Sequence, residues 1–91
     1  EPAWSPNNQW IAYTSQQSDI YIINIQDKIP HQLTSGSSFD SQPAWSPNGT
    51  QIAFASDRDG DYEIYVMNAD GSDVRQVTFN DVDDTNPAWV P

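Results

Sequence analysis

The stretch Asp57-Arg58-Asp59-Gly60-Asp61 sets carboxylates at every second position. Such spacing can converge on a hard cation. The register argues against calcium, because the glycine falls fourth rather than sixth and no bidentate Glu stands at the twelfth position. A solvated hairpin turn, built from Asp and Gly for their backbone habits, is the better reading. No metal is expected. His31 is the only histidine. None of the many Ser residues is marked as a nucleophile, so no Ser–His–Asp set can be argued around it. No catalytic residue and no cofactor are expected.

Composition narrows the function classes. Thirteen acids against three bases give a net charge of −10 over 91 residues. Phosphate binding needs a basic surface, so nucleic acid is excluded as a partner. Cations or basic protein surfaces suit the charge better. There is no Cys, and so neither a disulfide framework nor a thiolate metal site. No apolar run approaches membrane-spanning length, and no leader pattern is present, so no membrane insertion is expected. The chain begins at Glu1 rather than Met, as a processed or excised piece would.

What must position these residues is set by an internal repeat. PAWSP at 2–6 returns at 43–47, and again as PAWVP at 87–91. With an offset of 41, PAWSPNNQWIAYTS lies on PAWSPNGTQIAFAS; with an offset of 44, DIYIINIQDKIPHQLT lies on EIYVMNADGSDVRQVT. The offset changes between Ser15 and Asp19, which places an exposed loop there, where insertions are tolerated. Each copy reads as four short strands. In the second copy these are 43–46, 51–56, 63–68 and 74–78. The Ser46-Pro47-Asn48-Gly49 segment is a type I turn signature, and Asp70-Gly71 centres another turn. Pro2, Pro43 and Pro87 are placed at strand starts, where a missing N–H costs least. No stretch carries a helical period.

Four antiparallel strands in about 40–45 residues make a β-propeller blade. The expected fold is all-β, with one blade at 1–42, a second at 43–86 and the first strand of a third at 87–91. The run PAWSPNGTQIAFASDRDGDYEIYVMNADGSDVRQVT resembles the blade repeat of TolB, the periplasmic propeller of the Tol–Pal system, and of related bacterial propellers. The resemblance implies a protein-binding scaffold, not an enzyme, with a periplasmic or extracellular location. The alternative is a fragment of the propeller domain of a peptidase or a propeller lyase. The first copy departs from the repeat at Asn8, in place of the turn Gly, and at Ile25-Gln26-Asp27-Lys28, in place of the Asp-Gly turn. Two blades leave two apolar faces open, so the chain is expected to be part of a longer propeller or a homo-oligomer.

Within that frame, Trp4, Trp45 and Trp89 recur at one blade position and read as packing residues. Trp10 has no counterpart, since Gln51 stands in the second copy, and reads as an edge contact. His31, matched by Arg75, reads as a solvent-facing side chain of an outer strand. Connections in an up-and-down blade alternate between two ends. One end then collects Asp19, Asp40, Asp57, Asp59, Asp61, Asp81, Asp83 and Asp84, with Arg58 as the single base. The other collects Asp27, Asp70 and Asp73 with Lys28. The first end is the candidate docking face for a protein partner with a basic surface. Its binding residues would be Asp40, Asp57, Asp59, Asp61, Asp81, Asp83 and Asp84.

Overall fold

The computed structural model describes residues 2–36, 38–58, 60 and 62–77. These residues form two four-stranded antiparallel sheets and no helix. The first holds β1 (Ala3–Trp4), β2 (Trp10–Thr14), β3 (Ile20–Asn24) and β4 (Pro30–Gln32), in that order. The second holds β5 (Asp40–Trp45), β6 (Gln51–Ser56), β7 (Glu63–Asn68) and β8 (Arg75–Gln76), again in order. The expected third-blade strand at 87–91 lies outside the described residues.

Registers confirm the alignment of the two copies. Tyr21 pairs with Gln32 and Ile22 with His31. Tyr65 pairs with Gln76 and Val66 with Arg75, each 44 positions on. The turns repeat as well. Asn8 N donates to Ser5 O, and Gly49 N donates to Ser46 O. Asn8 sits at φ 59 and Gly49 at φ 74. Asn is the residue other than Gly that best tolerates this left-handed conformation, so Asn8 replaces the glycine without breaking the turn. Ser5 Oγ accepts from Trp10 N, and Ser46 Oγ from Gln51 N, closing both turns identically.

One expectation is corrected. Pro43 does not open its strand, because β5 begins at Asp40. The ladder shifts register between Ser41 and Ala44, and Gln42 adopts φ 57. Pro43 therefore sits at a bulge, a place where a proline removes no ladder hydrogen bond.

Alternation decides which residues meet between the sheets. On β2 and β3, Ala12 and Ile22 are paired and face the second sheet; Ile20 joins them. The second sheet answers with the pairs Ile52–Met67 and Phe54–Tyr65. These seven residues form one buried cluster, and Ile20, Ile52, Phe54 and Met67 are fully enclosed. Burying each such side chain is worth about 1.5–3 kcal/mol. The core is thus shared between sheets. The repeat counterparts of the second sheet's contact face are Ile11, Tyr13, Tyr21 and Ile23, which point the other way and are only half-buried. Even their ring geometry repeats: Tyr13 and Tyr21 stack at 5.7 Å, Phe54 and Tyr65 at 5.8 Å.

Candidate functional site

The end of the sheets that carries the β2–β3 loop, the β4–β5 connection and the β6–β7 loop is held together by backbone bonds. Asp40 N donates to Ser18 O at 2.8 Å. Phe39 N donates to Asp57 Oδ1 at 2.7 Å. The expected gathering of these segments at one end is therefore met among the described residues. What the acids do there differs from the expectation.

Asp40, expected as a docking acid, has no exposed surface. Arg58 Nη2 reaches its two carboxylate oxygens at 3.3 and 3.4 Å, and Ser38 Oγ donates to Oδ1 at 3.2 Å. Arg58 Nε donates to Ser56 Oγ at 3.0 Å. The guanidinium lies 5.4 Å from the Phe54 ring centre and 4.8 Å from that of Tyr65. A cation over aromatic faces and beside a carboxylate is favourable on both counts. So Asp40 and Arg58 clamp the β6–β7 loop onto the inner strand rather than face a partner. Asp19, counted with the same face, is also buried; Gln32 Nε2 lies 3.4 Å from its Oδ2. Glu63, 44 positions on, is buried with Gln76 Nε2 at 3.1 Å from its Oε2. A carboxylate met by a glutamine is thus a repeated structural device at the start of the third strand. The signal was in the sequence: Asp19/Gln32 and Glu63/Gln76 stand at matching repeat positions.

Of the named docking acids, Asp57 is the one that the described residues leave partly at the surface. Asp59, Asp61, Asp81, Asp83 and Asp84 lie outside the described residues. In sequence, Asp84 stands three before Pro87, as Asp40 stands three before Pro43. At the opposite end Asp27, Asp70 and Asp73 are all exposed. Asp73 pairs with Arg75 at 3.7 Å. Asp70 accepts from the hydroxyl and, at 3.0 Å, the backbone N of Ser72. Those bonds to the ionised form, the side-chain one foremost, hold its pKa below the usual carboxylate value.

The tryptophans divide. Trp45 packs against the shared core and its Nε1 donates to Ala3 O in the first sheet at 2.9 Å. Trp4, at the same repeat position, is 54% exposed. Trp89 lies outside the described residues. Trp10 packs against the core from its edge, and its ring centre lies 5.9 Å from that of His31. His31 is exposed on β4. Among the described residues no three His, Cys, Asp or Glu side chains are grouped to hold a metal ion.

Two sheets that repeat strand for strand, turn for turn and ring for ring are consecutive blades. The sequence model of the family described as the TolB beta propeller domain matches residues 1–91. The chain belongs to that family. Its fold is similar to that of a chain assigned as TolB in Agrobacterium tumefaciens, at 32% identity and a TM-score of 0.78. That match covers 86% of this chain and 29% of the other. It is similar also to TolB from Acinetobacter baumannii, at 25% identity and a TM-score of 0.80, over 90% of this chain and 21% of that one. A chain of the mitotic checkpoint complex matches at 17% identity and a TM-score of 0.65, over 86% of this chain and 24% of the other, and shows the fold alone. The chain spans less than a third of the length of these chains. Within the TolB-type blade the Asp40–Arg58 clamp and the Asp19 and Glu63 contacts serve the fold, which leaves the loop acids and the inter-sheet surfaces as functional candidates.

Proposed function

We propose that the chain is a non-catalytic protein-interaction module: two TolB-like blades of a larger or oligomerically completed propeller. The observation that carries this reading is the half-buried face of Ile11, Tyr13, Tyr21 and Ile23. In the second sheet the counterparts of these residues are buried against the first. A further blade, from the same protein or from a second copy, would bury this face in the same way. The docking surface for a basic partner is the loop end bearing Asp57, to which the sequence repeat assigns Asp59, Asp61, Asp81, Asp83 and Asp84. The net charge of −10 supports it. Asp40 is withdrawn from that set, because it is enclosed and paired. A periplasmic or extracellular location rests on the family alone.

The assembly half is tested by light scattering across a concentration series. Association, or marginal stability of the isolated chain, is expected. A monomer with a sharp, concentration-independent unfolding transition refutes it. The docking half is tested on a captured partner. Replacing Asp81, Asp83 and Asp84 by Asn should slow association and flatten the salt dependence, since charge steers encounter more than release. The same change at Asp27, Asp70 and Asp73 should do much less. Equal weakening by the two triples refutes the assignment of the face.

A further inference from the structure

The first copy departs from the second at Trp10, where Gln51 stands, and at His31, where Arg75 stands. The fold brings these two departures together, with their ring planes inclined at 57°. Both line a cavity of about 610 Å³ between the sheets, at the end bearing the β1–β2, β5–β6 and β7–β8 turns. Trp45, Asn7, Asn48 and Asp70 also line it. The repeat does not demand these two rings, since Gln51 and Arg75 stand at the same strand positions in the second copy. The volume is in the middle of the range for small-molecule sites, and so is the mixture of aromatic walls with a few polar groups.

The uncommitted polar atoms select the ligand. Asn7 Oδ1 accepts from Ser5 Oγ and Gln9 N, and Asn48 Oδ1 from Ser46 Oγ and Thr50. Their Nδ2 groups, and Trp10 Nε1, have no protein acceptor among the described residues. Asp70 is ionised, with Oδ1 held by Ser72 and Oδ2 left over. No Lys or Arg of the described residues lines the cavity, so an anion has no countercharge. A cation would meet Asp70 and the ring faces but would leave the two exposed amides and the indole N–H to water, using only part of the lining. A ligand that fits has an apolar face for the indole and, around its edge, groups that both donate and accept. A pyranose with all its hydroxyls equatorial has this form. Its axial C–H bonds make a flat face for the ring, and its hydroxyls meet the two amides, the indole N–H and the carboxylate.

We propose that this cavity binds a neutral sugar of the β-gluco type, with Trp10 as the stacking platform and Asn7, Asn48 and Asp70 as hydroxyl partners. The test titrates the 91-residue chain with methyl β-D-glucopyranoside and with cellobiose, followed by tryptophan emission and saturation-transfer NMR. L-Arginine ethyl ester and glucose 6-phosphate are the cationic and anionic arms. Saturable binding of the neutral sugars is expected, with signal from the axial C–H protons. Trp10→Ala should weaken it about tenfold, the loss of one stacking contact. Because Trp10 also touches the core, His31→Ala is the second variant: its exposed ring can be removed with the thermal midpoint unchanged, and affinity should fall about threefold, less than a full contact. The proposal is overturned if neither sugar saturates, if the arginine ester or the phosphate binds more tightly, or if folded Trp10→Ala and His31→Ala chains bind cellobiose as the parent does.

Discussion

Trp4 and Trp45 occupy one repeat position, so replacing each by Ala is the same chemical change made in two surroundings. Trp45 packs on the shared core and bonds to Ala3 O of the preceding blade. Removing about 150 Å² of its apolar contact, at about 25 cal/mol per Å², costs about 4 kcal/mol. The lost indole bond adds about 1 kcal/mol, since Ala3 O is left to find another donor. Trp4 is 54% exposed and buries about 100 Å², so the same bookkeeping gives about 2–3 kcal/mol for Trp4→Ala. The expected gap is therefore about 2–3 kcal/mol, a large part of the stability of a small domain. Urea unfolding of both variants, followed by tryptophan emission and far-UV circular dichroism, measures it. Trp45→Phe separates the terms, because it keeps most of the apolar contact and removes the bond; about 1–2 kcal/mol is expected. Equal losses at Trp4 and Trp45 would refute the reasoning, since the position alone, not the neighbouring blade, would then set the energy.

Asp40→Asn should destabilise by about 2 kcal/mol in urea unfolding, below the range for a fully buried pair, because the Arg58 side chain keeps 31% of its surface in water. A loss within experimental error would mean that the clamp contributes nothing. Gly71→Ala should cost about 1–3 kcal/mol: the residue sits at φ +88, and an added Cβ would lie 3.1 Å from Leu33 O of the first sheet. Its thermal midpoint should fall below that of Gly60→Ala, whose added Cβ meets nothing within 4 Å. The Asp70 carboxylate has a depressed pKa, so its contribution to stability is complete above the ordinary carboxylate range and is lost as pH falls through the lowered value. Ser72→Ala should move the Asp70 titration, read by NMR, upward towards that range; an unmoved midpoint would show that the Ser72 hydroxyl is not its cause.

How much of this was legible in the sequence follows from what a repeat encodes. A repeated five-residue run and two offsets fixed eight strands, because both register and turn chemistry travel with the repeat. The 44-position match of His31 to Arg75 reappears as the pairing of each with Ile22 and Val66. Asn8 looked like a defect and is a substitute, since one left-handed backbone suits both Asn and Gly. The bulge at Gln42-Pro43 was hidden because proline at a strand start and proline at a bulge obey the same rule, the absence of a donor.

The acids were the part that composition misled. Counting charges by loop assumes that a carboxylate outside a strand core is solvated, which is the ordinary case. Asp19, Asp40 and Glu63 break it for a common reason: each stands at a strand's beginning, where the blade is closing and a neighbouring side chain is within reach. A buried carboxylate is tolerable only when paired or hydrogen-bonded, so such acids must bring partners. Gln32 and Gln76 do so for the third strands. Arg58 does so for Asp40, which explains why the one base of the acidic end is not available to soften its charge. The acids of a blade therefore sort by whether a side-chain partner is within reach. By that criterion Asp57, which accepts from the backbone N–H of Phe39 and holds no side chain, stays with the surface.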